Sequence, residues 1–106
     1  MELQCWNTDR DGELSEAAMR RWLEAQGYRV CTYVYPPGTV FPDHSHTGDK
    51  MDGVISGRFR MTMDGNSIVL GPGDMLVVPR GVVHRAEVVG EAPVVSLDAI
   101  RIDILE

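Results

Sequence analysis

All three histidines of this chain stand at two places: His44 and His46 two residues apart, and His84 far downstream. On a β-strand, residues two apart point to the same side, so His44 and His46 are expected to present their imidazoles together. Neutral imidazole suits zinc, nickel, copper and iron. A third nitrogen from a distant strand closes three coordination positions and leaves others open for water or substrate. The chemistry this pattern offers is divalent-metal binding at a site with room for a ligand.

Strands must position those rings, and from Tyr28 onward the sequence reads as strands. Short apolar or alternating runs occupy 29–35, 39–46, 51–56, 58–63, 67–70, 74–78, 83–89 and 94–104. Between them lie Pro36-Pro37-Gly38, Asp64-Gly65-Asn66, Gly71-Pro72-Gly73 and Pro79-Arg80-Gly81, whose residues suit fixed or positive backbone angles. In Phe59, Met61 and Met63, alternating with Arg58, Arg60 and Thr62, one face is apolar and the other polar. About eight short strands at close spacing indicate a mainly β domain, a small antiparallel sandwich or barrel of the jelly-roll kind. The last run, with Ile100, Ile102 and Ile104 against Arg101 and Asp103, is expected at a sheet edge or a dimer contact.

One stretch has helical periodicity. Ala18, Met19, Trp22 and Leu23 recur at three- and four-residue spacing between Ser15 and Gln26. Ser15 suits the N-cap, Glu16 the positive end of the helix dipole, the Glu16/Arg20 pair the i,i+4 spacing, and Gly27 a left-handed stop. The expected organisation is a single domain over 1–106. In it, 1–27 form an N-terminal helical extension and 28–106 the β-barrel.

The length, 106 residues, fits one domain of roughly 100–150 residues. The 43% hydrophobic and 25% charged content are globular values. A net charge of −6 provides no electrostatic footprint for nucleic acid or an anionic membrane surface. No apolar run approaches the ~20 residues needed to span a bilayer, and the first residues do not read as a signal peptide, so the expected location is cytoplasmic. Cys5 and Cys31 are too few and too far apart for a disulfide framework and are read as thiols. Asn7, Asp9, Asp11, Gly12 and Leu14 follow the start of a calcium-binding loop. Its twelfth position, which must supply a bidentate Glu, is Ala18, and a turn with an N-cap explains the same residues.

The spacings around the histidines resemble the two motifs of the cupin family of small double-stranded β-helices, G-x5-H-x-H-x3-E-x6-G and G-x5-P-x-G-x2-H-x3-N. Gly38, His44, His46 and Gly57 stand at the first set of positions, and Gly73, Pro79, Gly81 and His84 at the second. Two motifs in order are far more specific than one. The resemblance implies a barrel with His44, His46 and His84 around one divalent transition metal (Zn, Ni, Fe or Mn), and a homodimer.

Two signature positions differ. Lys50, the only lysine, stands where the family has its carboxylate ligand, and Val88 replaces the final Asn. An ammonium is repelled by a divalent cation and coordinates only after losing its proton. Three outcomes are open: metal on three histidines plus water, which is preferred; Asp52 ligating or pairing with Lys50; or a site without metal. Local register decides whether Lys50 faces the site, where it can hold an anionic oxygen of a ligand, or turns outward. Val88 favours an apolar or small ligand over a sugar.

These readings lead to two functions. One is a metalloenzyme acting on a small substrate by dioxygenase-type or Lewis-acid chemistry, with Lys50 and Asp52 as substrate-binding residues and no dedicated general base identified. The alternative is a non-catalytic barrel that binds or senses a small molecule.

Overall fold

Two antiparallel sheets face each other, and a helix lies against the outside of one of them. The computed structural model describes residues 1–102. In chain order the elements are β1 (Leu3–Cys5), α1 (Thr8–Asp11), α2 (Glu16–Ala25), β2 (Tyr28–Tyr35), β3 (Val40–His44) and β4 (Lys50–Ser56), followed by β5 (Arg58–Met63), β6 (Asn66–Leu70), β7 (Asp74–Val78), β8 (His84–Val89) and β9 (Val94–Arg101). One sheet has the order β1-β7-β4-β9-β2, the other β3-β8-β5-β6. The mainly β jelly-roll expectation holds, and all eight expected strands are present with ends shifted by a few residues at most.

Alternation builds the interior. In β5, Phe59, Met61 and Met63 are buried while Arg58 and Arg60 are exposed. They meet Val54, Leu76, Val78 and Val94 from the facing sheet in one apolar cluster. The β5–β6 hairpin closes through Asp64 and Gly65, with φ of 54° and 75°, and brings Met63 opposite Asn66. Two consecutive positive φ values match the right-handed strand twist, and Gly adopts the second without steric cost.

β4 is buried on both faces. Its Val54 joins the barrel core, whereas Met51 joins a second cluster formed with Met19 and Leu23 of α2. Both helix residues are fully buried; removing a side chain of this size from water contributes roughly 1.5–3 kcal/mol. Ser15 Oγ accepts from Ala18 N at 3.0 Å, the N-cap expected for this helix. Gly53 lets the helix approach: a Cβ there would lie 2.6 Å from Met19 Sδ and 3.3 Å from Met75.

The N-terminal segment carries more than the expected helix. β1 pairs with β7 and extends the larger sheet, and α1 is a single turn whose Asn7 Oδ1 accepts from the backbone N–H of Asp9 and Arg10. That capped turn accounts for the residues that imitate a calcium loop; Asp11 is paired with Arg10 at 2.9 Å.

The expected edge position of the last strand is corrected. β9 lies between β4 and β2, hydrogen-bonded on both sides, and β2 forms the edge. A strand's sequence pattern reports which face is apolar, not how many neighbours it has. Asp103 and Ile104 of the expected run lie outside the described residues. Among those described, no helix is long and apolar enough to cross a membrane.

Candidate metal centre

His44 ends β3 and His84 begins β8, and the two are direct cross-strand partners. Their register depends on a bulge. Phe41 opposes Ala86, but His44 opposes His84, so β3 spends one residue more than β8 between these pairs. In a regular strand, residues three apart face opposite sides. Here Phe41 and His44 both line the interior cavity. Pro42, which has no N–H for the ladder, sits within the irregular stretch.

His46 lies beyond the end of β3, in a loop held to the second motif. Its carbonyl accepts from Gly81 N at 2.8 Å, and Asp49 Oδ1 accepts from Arg80 N at 2.9 Å. The Pro79–Gly81 turn therefore fixes the loop that carries the second histidine.

The three rings converge, but strand alternation is not the cause for His46: the expected strand 39–46 ends at His44, and the loop brings His46 beside it. Ring centroids are 4.8 Å apart for His44 and His46, 4.2 Å for His44 and His84, and 5.1 Å for His46 and His84. One ligand nitrogen from each lies within 4.8 Å of the others. His44 Nδ1 is 2.7 Å from the Pro42 carbonyl and His84 Nδ1 is 3.0 Å from the Val82 carbonyl. A carbonyl only accepts, so in each ring Nδ1 carries the proton and Nε2 keeps its lone pair free, the arrangement metal-ligating histidines need. His46 Nε2 is buried with no hydrogen-bond partner among the described residues. A buried polar atom without a partner is costly, and a cation would satisfy it. The donor set fits a divalent transition metal.

Burial lowers the pKa values of His46 and His84, and the charge of Lys50 adds to the effect in both. The His46 and His84 rings therefore stay neutral, as ligation requires, to lower pH than ordinary histidine.

Lys50 faces inward. It is only 7% exposed and lines the cavity with the three histidines. Its Nζ contacts Asp98 Oδ1 and lies 3.8 Å from Asp52 Oδ1. Burial alone would lower its pKa, but Asp52 and Asp98 outweigh that and hold it above the usual lysine value. Asp52 is pushed up to about 7, first by burial and then by Asp98, against the pull of Lys50. Of the three outcomes open from sequence, Asp52 pairs with Lys50, and the group placed to hold a metal consists of the three histidines.

Asp98 was not singled out from the sequence. The available signal was a lone acidic residue inside the otherwise apolar run of β9, sharing a strand face with Ser96 and Val94. Both Asp98 and Ser96 line the cavity. Part of the lining is aromatic and comes from both sheets: Tyr35 of β2, Phe41 of β3 and Phe59 of β5 form one group, with Tyr35–Phe41 centroids 4.8 Å apart. Tyr35 is pushed up to about 12 by burial and by the nearby carboxylates, so its hydroxyl stays protonated. Val88 packs into the core cluster instead of lining the cavity. The cavity opens to solvent and has a volume of about 180 Å³.

Comparison with known proteins agrees with this geometry. The cupin domain family matches residues 31–100. A germin-like protein, 9-2, of Oryza sativa subsp. japonica is 35% identical over 85 residues, which is 73% of this chain and 39% of that protein. The chain thus spans about two fifths of that relative's length. The solved DMSP lyase DddQ from Ruegeria pomeroyi DSS-3 is 25% identical with a TM-score of 0.65, over 74% of this chain and 40% of the other. A conserved protein with a double-stranded β-helix domain from Klebsiella pneumoniae is 26% identical with a TM-score of 0.62, over 71% and 63%. KdgF from Halomonas sp., at 23% identity and a TM-score of 0.63 over 73% and 71%, is a likeness of fold alone.

Proposed function

This chain belongs to the cupin family, and from that premise we propose that it is a metal-dependent barrel acting on a small ligand, with one divalent transition metal (Zn, Ni, Fe or Mn) held by His44, His46 and His84. The observation that carries the reading is the convergence of three imidazoles, two with Nδ1 tied to a backbone carbonyl and the third with a buried Nε2 that has no partner among the described residues. When bound, such a metal supplies Lewis acidity or, as iron(II), dioxygen activation.

The chain's own residues divide the remaining work. Lys50 donates to a polar group of the ligand, and Asp52, buried beside it, holds a proton near neutral pH. Tyr35, Phe41 and Phe59 take the apolar part and exclude water from it. A cavity of about 180 Å³ has room for a group of roughly one ring, since an engineered cavity of about 150 Å³ binds benzene.

A non-catalytic binding or sensing barrel is the second reading. It draws on the fact that the ionisable groups nearest the histidines are bound up with one another: Lys50 with Asp98 and Asp52. Homodimerisation fits edge strand β2 with exposed Tyr33 and Val34, beside exposed Ile100 and Ile102. Two exposed free cysteines suit a reducing, cytoplasmic setting.

Elemental analysis of protein purified without chelator tests the metal reading. We expect about one equivalent of transition metal per chain, lost in His46→Ala; absence of metal in the wild type, even after reloading, removes the reading. Oxygen uptake by the iron(II)-loaded protein over a panel of small acids, diketones and thiols then separates enzyme from sensor.

A further inference from the structure

The negative charge that the family motif supplies to its metal from position 50 is absent here, and the two carboxylates near the site are committed elsewhere. We propose that the ligand itself supplies that charge: a small monocarboxylate, its carboxylate shared between the divalent metal and Lys50, so that metal and carboxylate each bind more tightly when the other is present. This rests on the metal-centre reading and adds a ligand class and a thermodynamic coupling to it.

Charge balance leads there. Three neutral imidazoles leave a dication uncompensated, in a cavity whose lining includes the aromatic group Tyr35, Phe41 and Phe59. A charge in such surroundings is costly unless paired. Asp98 is matched by Lys50, with which it is in contact. Asp52 is buried opposite Asp98 and holds its proton toward neutrality. The Lys50–Asp98–Asp52 cluster is therefore close to neutral and does not repel an entering anion, while the dication's charge remains for the ligand to meet.

Lys50 supplies the second contact. An ammonium has three N–H donors that rotate together about the Cε–Nζ bond. Two acceptors, Asp98 and Asp52, are already near, and the side chain lines the cavity alongside the histidines. A carboxylate has two oxygens, so it could accept from Lys50 with one while the other is left for a metal held by the histidines that line the same cavity. The aromatic lining and the volume of about 180 Å³ favour a carboxylate with a small apolar body over a phosphate or a sugar.

The test is calorimetric titration of zinc into the whole protein, alone and with saturating acetate or benzoate, against the matched neutral amides acetamide and benzamide. We expect the carboxylates to tighten zinc binding at least about tenfold and the amides to leave it unchanged. By reciprocity, the carboxylates bind the metal-free protein more weakly by the same factor. The double variant Lys50→Met/Asp98→Asn removes the ion pair without leaving a lone buried charge. It should keep zinc but reduce the coupling to less than about threefold.

Equal zinc affinity with carboxylate and amide overturns the proposal, as does full coupling in the double variant, while leaving the metal centre standing. Failure of the wild type to bind zinc under every condition removes the metal centre as well. The wild-type comparison of acid with amide decides the question whether or not the double variant folds.

Discussion

Asp52 and Asp98 are direct partners across the β4–β9 ladder, and both carboxyls turn into the cavity where Lys50 reaches them. Like charges directly opposite one another destabilise a sheet. Two devices relieve this pair: the ammonium of Lys50, and a proton retained on Asp52. The same relation makes the cluster near-neutral and so bears on what the site can bind.

The proton on Asp52 has a consequence for stability. Its carboxyl is raised from 3.8 to about 7 in the folded chain, chiefly by burial. A raised acid binds its proton more tightly folded than unfolded, so its contribution is fully present below pH ~4 and is lost as pH rises through about 7. Urea unfolding of the wild type and of Asp52→Asn should show the wild type losing stability relative to the variant across that window. A constant difference between the two from pH 4 to 8 would contradict the assignment.

The bulge in β3 makes a second prediction, about register. Deleting Asp43 removes the extra residue between the Phe41/Ala86 and His44/His84 pairs. Phe41 and His44 are then two apart in a regular strand and still face the same side, opposite Ala86 and His84. We expect a folded protein, by far-UV circular dichroism, that keeps its transition metal. Loss of the metal from a folded variant would show that the bulge itself, and not the strand register, aims His44.

Gly53 sets the distance between α2 and the larger sheet. Gly53→Ala forces Met19 aside from a 2.6 Å contact, and overpacking of this kind costs roughly 1–3 kcal/mol. Denaturant unfolding should show that loss, and Met19→Ala should cost less in the Gly53→Ala background than in the wild type. Because Gly53 faces the helix and not the cavity, metal content should be unaffected; a parallel loss of metal would mean the helix supports the site.

Local pattern explains how much was visible beforehand. Period-two alternation marked β5, and the Asp64-Gly65 turn marked the hairpin after it. Histidine spacing marked the three ligand candidates, because the barrel repeats its strand geometry and residue types at turns are dictated by backbone angles. The short β1 carries no period of its own, and only the free edge of β7 makes it a strand. Lys50 could be numbered as a departure from the family pattern, but not oriented.

What the residues alone determined is therefore the β architecture, the helix with its Ser15 cap, and the pairing of His44 and His46 with a distant His84. Tertiary structure decided three things: that β9 runs through the middle of its sheet, that a bulge brings Phe41 and His44 to the same side, and that Asp98 meets Lys50 and Asp52. The physical reason is range. Propensity and periodicity act over a few neighbouring residues, whereas strand order, register and the pairing of buried charges are settled by contacts between segments far apart in the chain.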